Sequence, residues 1–244
     1  MSSHPATAPS GQSTPDFPAD LLNRAGLNRQ YVFALDALPP ETLATLGDTA
    51  PYRQLILLGH GGRLLWDRVQ AANPTGNHPI DEYTRNVVAR WFAEALPGHR
   101  HRLLYPDNTP TQRPIGLQAL GTLAGWHHPA PFMVGIDDEW GSWFAYRAAL
   151  LADTDFLPFF RVDRRNPCSS CTAQPCLSAC PAEAMANGHF DLKRCLSYRR
   201  QPNSRCAATC LARLACPVGS EHRYDAAQLR HSYGHSLAML KAYL

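Results

Sequence analysis

The chain has 244 residues, a formal net charge of +3 and 45% apolar residues. That apolar content is enough for a buried core, and no apolar run approaches the roughly 18 residues of a membrane-spanning helix. The mild positive charge does not by itself indicate a nucleic-acid partner. Residues 1–20 are rich in Ser, Pro, Ala and Thr and lack the basic start and apolar centre of a secretory signal. We therefore expect a disordered tail at 1–20 and a cytoplasmic protein.

Helical and strand patterns alternate between residues 21 and 160, which predicts an α/β domain over that range. Helices are expected at 41–46, 63–70, 82–96 and 115–124, and strands at 54–58, 102–105 and 132–136. The apolar segment 142–151 is either a strand entering a helix or one continuous element. A Pro-rich turn is expected at 106–110.

A last helix is expected within residues 222–244, beginning at Asp225 and interrupted at Gly234. His231 and His235 are four residues apart and share one face of it. That spacing can hold a metal ion, but no carboxylate or cysteine shares the face. Packing or solvent contact is the favoured interpretation of this pair.

All eight cysteines lie between residues 168 and 216, and this is the most informative stretch of the sequence. They form two sets of four, each closing in Cys-Pro: Cys168, Cys171, Cys176 and Cys180, then Cys195, Cys206, Cys210 and Cys216. This pattern is typical of ferredoxins with two [4Fe–4S] clusters, in which the fourth cysteine of one motif binds the other cluster. The pattern predicts one cluster on Cys168, Cys171, Cys176 and Cys216, and a second on Cys180, Cys195, Cys206 and Cys210.

The spacing departs from the usual ferredoxin motif between Cys171 and Cys176, where four residues replace two. We expect an irregular loop at Gln174–Pro175 to absorb them. Two alternatives remain: a pair of zinc sites, since Cys-x2-Cys also binds zinc, and a disulfide scaffold, which needs an oxidising compartment. Basic residues beside the cysteines, among them Arg199 and Arg213, are either a solvated face or a source of positive charge for reduced clusters.

The cysteine motifs resemble the ferredoxin part of the epoxyqueuosine reductase family, a group that includes the reductive dehalogenases and the vitamin B12 processing proteins. The resemblance rests on Cys168-Ser-Ser-Cys171-Thr, on Cys176-Leu-Ser-Ala-Cys180-Pro-Ala-Glu-Ala and on Arg194-Cys195-Leu-Ser-Tyr198. Upstream, Gly141-Ser142-Trp143-Phe144, Leu123-Ala124-Gly125-Trp126 and Asp107-Asn108-Thr109-Pro110 are similar to further segments of that family. His127-His128-Pro129 stands where the family has a lysine.

This resemblance implies a nitroreductase-like α+β sandwich at 21–160, a ferredoxin-like domain with two [4Fe–4S] clusters at 161–221, and a C-terminal helix at 222–244. It implies a corrinoid on the α/β domain, with a flavin as the less favoured cofactor. Asp107 would be the catalytic proton donor, with an ordinary turn as its alternative. The residues implied for cofactor binding are Trp126, His127, His128, Trp143 and Tyr146, with core packing or a surface loop as their alternatives.

The predicted function is therefore iron–sulfur electron transfer to a second cofactor in a reductase. An external donor of the flavodoxin or ferredoxin type would supply electrons, and a small molecule or a corrinoid would be the substrate. A nucleic-acid partner and a membrane partner are not expected. The alternatives are a stand-alone electron carrier and a zinc-stabilised binding module.

Overall fold

The structure is a computed structural model that describes residues 16–107, 114–159 and 165–242. Its helices are α1 Asp20–Arg24, α2 Pro40–Leu43, α3 Leu64–Ala72, α4 Pro79–Ala95, α5 Leu117–Leu123, α6 Pro175–Ser178, α7 Leu192–Arg199, α8 Leu211–Ala215 and α9 Ala226–Ala242. Its strands are β1 Arg29–Ala34, β2 Gln54–Gly61, β3 His101–Tyr105 and β4 Phe144–Ala152. Short 3-10 turns lie at Leu35–Ala37, Pro167–Ser170 and Ser220–His222.

The four strands form one open antiparallel sheet in the order β1-β2-β4-β3. The predicted mixture of sheet and helices is confirmed. The inner strand β2 is buried along its whole length, in keeping with its continuous apolar sequence. The edge strand β1 was not predicted, because Arg29 and Gln30 precede a run of only five apolar residues.

Each face of the sheet carries its own apolar core. On one face, Val32, Ile56 and Leu150 pack with residues of α1, α3 and α4, and on the other, Leu57 and Leu151 pack with residues of α5. Period-two alternation along β1, β2 and β4 produces this division. A bulge breaks the pairing of β2 with β4: Leu58 pairs with Ala148 and Gly59 with Tyr146, so Arg147 has no opposite residue.

Two predicted elements differ in the structure. The strand expected at 132–136 is wrong: this segment is a turn, with an isolated bridge between His128 and Ile136. Its apolar residues Phe132 and Ile136 do not join the sheet. They pack against residues 165–222, which we call the cysteine region. The interruption expected at Gly234 is also absent, since α9 continues through it. An isolated glycine lowers helix stability without ending the helix.

The open alternative at 142–151 is resolved by β4, a single strand over 144–152. Residues 1–15 of the expected tail lie outside the described residues. Residues 16–20 do not form a disordered tail. The Phe17 ring lies 5.3 Å from that of Trp91, and the carbonyl oxygen of Pro18 accepts a 2.8 Å hydrogen bond from the Trp91 indole. Among the described helices, none has the length and apolar character needed to cross a membrane.

The cysteine region packs directly on the sheet and its helices, residues 16–159, which we call the α/β region. Phe132 and Ile136 share an apolar cluster with Cys176, Met185 and Cys216. The buried Arg213 of α8 donates hydrogen bonds to the carbonyl oxygen and the hydroxyl of Ser142. A polar contact and an apolar one therefore join the two regions.

Candidate metal centres

The first group of thiols gathers around α6 and the end of α8. Cys168 lies in the 3-10 turn Pro167–Ser170, Cys176 lies in α6 and Cys216 follows α8. The pKa of the Cys168 thiol is raised to about 11, first by burial and then by the neighbouring thiols of Cys216, Cys176 and Cys171. These four residues are the predicted ligand set of one cluster.

The four-residue spacing between Cys171 and Cys176 is absorbed where it was predicted. Gln174 has φ 38° and ψ 50°, a left-handed conformation, and Pro175 then begins α6. Pro is well suited to a first helical position because its fixed φ matches the helix and its missing N–H needs no partner there. This turn places Cys176 in the helix.

The second group of thiols lines one cavity. Cys180, Cys195, Cys206 and Cys210 all border an apolar cavity of about 160 Å³, which we call the thiol cavity. The pKa of the Cys195 thiol is raised to about 11 by burial and then by Cys210, Cys180 and Cys206, while Arg199 opposes the shift. These four residues are the predicted ligand set of the other cluster.

One polar atom in the wall of the thiol cavity has no protein partner. The hydroxyl oxygen of Thr209 is buried and, among the described residues, makes no hydrogen bond. A buried hydroxyl without a partner costs about 1–3 kcal/mol, so a missing acceptor is expected beside it. The inorganic sulfides and thiolates of an iron–sulfur cluster are such acceptors.

All eight cysteines are free thiols, none of them in a disulfide. Within 16–107, 114–159 and 165–242, no three His, Cys, Asp or Glu side chains converge closely enough to bind a single metal ion. The four thiols of the second set instead surround a space. A four-iron cube suits this arrangement, because each thiolate binds a different iron at a different corner.

Two of the basic residues between the cysteines are buried and have structural partners. Arg199 donates through Nε to the carbonyl oxygen of Cys206, at 3.2 Å, and through Nη2 to that of Tyr233, at 2.8 Å. The Arg213 guanidinium lies 4.4 Å from the ring centre of Trp143 and 4.9 Å from that of Tyr224. Neither residue belongs to a solvated face.

A buried polar chain leads from Arg213 into the sheet. The Tyr224 hydroxyl lies 3.1 Å from Nε2 of His60, and Nδ1 of His60 accepts a 3.0 Å hydrogen bond from Nε of Arg147. Since Arg147 can only donate, the neutral imidazole carries its proton on Nε2 and donates it to Tyr224. Burial, and after it the charges of Arg147 and Arg213, hold the pKa of His60 well below its usual value.

Three of the residues predicted to bind a second cofactor lie together. The rings of Trp126 and Tyr146 stack with centres 6.4 Å apart, and the Tyr146 hydroxyl lies 3.2 Å from Nδ1 of His127. Burial raises the pKa of Tyr146 and lowers that of His127. Trp126 borders a cavity of about 280 Å³.

The sequence patterns missed the charged pair in the wall of this cavity. Arg29 and Asp137 approach to 2.5 Å, and the Arg29 guanidinium lies 4.6 Å from the ring centres of both Trp126 and Phe144. Burial lowers the pKa of Arg29, and Asp137 opposes the shift. Arg29 carries no motif, so only the folded chain shows that it packs on the aromatic wall.

The other predicted cofactor residues lie elsewhere. Trp143 is fully buried between Arg213 and Tyr224 and does not border the cavity of Trp126. His128 is bridged to Ile136 through its backbone, and its Nε2 is buried without a hydrogen-bond partner among the described residues.

The predicted catalytic residue Asp107 is exposed and pairs with Arg85 of α4. Residues 108–110 of the expected turn lie outside the described residues. Asp107 is not among the residues that border the cavity of Trp126, so the structure does not gather Asp107, Trp126 and Trp143 around one site.

No family model matches the sequence, and no curated protein matches it. Among solved structures, an epoxyqueuosine reductase from Bacillus subtilis is similar at 15% identity and a TM-score of 0.49, covering 85% of this chain and 66% of that one. The epoxyqueuosine reductase from Streptococcus thermophilus is similar at 14% identity and a TM-score of 0.47, covering 82% and 64%. A C. elegans B12-trafficking protein, CblC, is similar at 13% identity and a TM-score of 0.42, covering 84% of each chain.

These structural neighbours are members of the group that the cysteine motifs resemble. The chain spans slightly less than two thirds of the length of the two reductases. At TM-scores below 0.5, these likenesses do not establish an activity for this chain.

Proposed function

We propose that this protein transfers electrons through two [4Fe–4S] clusters. Cys168, Cys171, Cys176 and Cys216 would hold the first cluster, and Cys180, Cys195, Cys206 and Cys210 the second. The observation that carries the proposal is the thiol cavity, where four cysteines from separate segments surround one apolar space. The unpartnered Thr209 hydroxyl in its wall supports the same assignment.

The surroundings of the thiols suit a redox role. Arg199 and Arg213 are buried beside the second set, and both their charges act on its thiols. Positive charge and burial tune the potential of a cluster, and a cluster supplies one-electron chemistry when it is bound. The protein's own contribution is to hold the thiols apart, to exclude water with Phe132, Met185 and Phe190, and to fix the charge nearby.

Anaerobic purification followed by iron, sulfide and zinc analysis tests the proposal. We expect about eight irons and eight sulfides per chain, and a paramagnetic signal on reduction with dithionite. About two zinc ions per chain without sulfide would overturn the proposal in favour of a zinc-stabilised module. Neither metal nor sulfide in freshly prepared protein would overturn it as well.

A corrinoid as the acceptor on the α/β region stays a prediction from the family resemblance. Trp126, His127 and Tyr146 would contact it, but the cavity of about 280 Å³ beside Trp126 lies just below the usual range of about 300–1,000 Å³ for small-molecule sites. A corrin ring would not be enclosed there. Cobalt and flavin analysis of the purified protein, with absorption spectra after adding hydroxocobalamin under reducing conditions, decides the point. If no spectrum changes while the clusters are intact, the stand-alone electron carrier remains.

A further inference from the structure

A second polar cavity, of about 250 Å³, borders α9, as the thiol cavity does. Its wall includes three histidines, one arginine and one carboxylate, and we call it the histidine cavity: His78, Asp81, Tyr105, Arg147, His231 and His235. The rings of His78 and His235 are 5.3 Å apart, and those of His231 and His235 are 6.4 Å apart. Four elements or their ends meet here, namely α4, β3, β4 and α9.

Arg147 brings a positive charge that has no counter-ion among the described residues. Because of the bulge, it stands out of register with β2 and borders the cavity. Over the described ranges its guanidinium makes one hydrogen bond, from Nε to His60, and no ion pair. Its two Nη groups therefore remain available, and a guanidinium binds carboxylate and phosphate oxygens through paired donors.

The start of α4 adds to the positive character of the cavity. This helix has 17 residues, and no side-chain hydrogen bond caps it at His78. The backbone N–H groups of a helix's first turn attract anions, and the helix dipole has the same effect. Asp81, in that first turn, is the carboxylate that opposes this effect from within the cavity wall.

The pKa of His231 shows that the positive charges in the cavity act more strongly than the single carboxylate. Burial lowers its pKa, and the charges of His235 and Arg147 lower it further, while Asp81 raises it. An anion bound among these groups would offset the two positive contributions. It would also favour protonated imidazoles, so binding should strengthen as the pH falls.

Both cavities are bordered by residues of α9. Ser232 and His235 border the histidine cavity, while the adjacent residues Tyr233 and Ser236 border the thiol cavity. An α-helix with its side chains is about 10 Å across, so a ligand in one cavity would lie within about that distance of the other.

We propose that the histidine cavity binds a small anionic molecule through a phosphate or carboxylate group held by Arg147 and the three histidines. The proposal goes beyond electron transfer, and it stands whether or not the clusters are present. Because the histidine cavity lies next to the thiol cavity, we assign its ligand the role of electron acceptor, and this assignment alone rests on the proposed function.

Titration of the full-length protein with inorganic phosphate tests the proposal, by calorimetry and by imidazole ¹H–¹⁵N spectra. We expect saturable binding that shifts the resonances of His78, His231 and His235, and that is about tenfold or more tighter near pH 6 than near pH 8. Arg147→Gln should weaken binding about tenfold or more, and so should His235→Gln, which covers the case in which the arginine variant fails to fold. His189→Gln is the matched control, because His189 is exposed and lies outside the cavity.

Three outcomes would overturn the proposal. One is the lack of saturable phosphate binding near pH 6, and another is binding that both variants leave unchanged. The third is stoichiometric binding of zinc that His235→Gln abolishes, without phosphate binding, since this would make the cluster of histidines a metal site. Iron and sulfide analysis of the same samples reports separately on the clusters.

Discussion

Gly141 and Gly219 pack against each other where the α/β region meets the cysteine region. A Cβ on Gly219 would lie 2.5 Å from the backbone nitrogen of Gly141, and one on Gly141 would lie 2.0 Å from the carbonyl oxygen of Val218. Both residues have positive φ, 57° at Gly141 and 62° at Gly219. The contact is backbone against backbone, so no side chain can move aside to accept a larger residue.

Gly141→Ala should therefore lower the free energy of unfolding substantially. The left-handed conformation costs a non-glycine residue about 1–2 kcal/mol, and overpacking adds about 1–3 kcal/mol. Gly188→Ala is the control, since Gly188 has φ 77° but nothing within 4 Å of its added Cβ, so only the first cost applies. Urea unfolding of the two purified variants measures the difference. Equal losses would show that the contact at Gly141 relaxes without cost.

The fold was predictable where one pattern dominates a segment. The apolar run that ends at glycines predicted β2, and the helical spacing of Val87, Val88 and Trp91 predicted α4. The segment 132–136 was predicted wrongly, because a short apolar run has the same sequence pattern whether it joins a sheet or packs on another region. The Cys-Pro motifs predict two sets of four thiols, and these ligand sets stay a prediction from the spacing.

The histidine cavity could not be predicted from the sequence. His78, Arg147 and His235 are far apart in the chain, and each has an ordinary role when considered alone. They meet because a bulge turns Arg147 out of register and because α9 continues past Gly234. The local sequence pattern indicates neither the bulge nor the continuation of the helix.

The partition of the cysteines can be tested through pairs of substitutions. Cys210 and Cys216 flank α8, yet Cys216 acts on the Cys168 thiol and Cys210 on the Cys195 thiol, in keeping with the prediction that they bind different clusters. The double variant Cys168→Ser with Cys216→Ser should remove one cluster and retain about four irons. The double variant Cys168→Ser with Cys210→Ser should lose both clusters. Iron analysis and electron paramagnetic resonance of the anaerobic proteins measure this. Loss of both clusters in both double variants would instead support ligand sets that follow sequence order.

Thr209 should raise the reduction potential of the second cluster. A hydrogen bond from its hydroxyl to a cluster sulfur stabilises the more negative reduced form. Thr209→Val keeps the shape and removes the donor. The midpoint potential should fall by about 20–60 mV, which corresponds to a net hydrogen bond of about 0.5–1.5 kcal/mol for one electron. Thr172→Val is the matched control, because Thr172 is also next to a cysteine but is exposed. A redox titration that gives equal potentials for both variants and the parent would remove this role from Thr209.

His60 should make the stability of the protein depend on pH. Burial holds its pKa in the folded state well below the value of about 6.5 that it has when unfolded. Between these two values the unfolded chain binds a proton that the folded chain does not, so stability decreases as the pH falls below about 6.5.

His60→Gln keeps an acceptor for Arg147 and a donor for Tyr224 but cannot be protonated. Urea unfolding between about pH 7 and pH 5.5 should show a slope smaller by up to about 1.4 kcal/mol per pH unit in this variant. The slope that remains belongs to groups common to both proteins, such as His127 and His231, whose pKa values are also lowered. Identical slopes would mean that folding does not lower the pKa of this imidazole, which contradicts its burial and its hydrogen bond from Arg147.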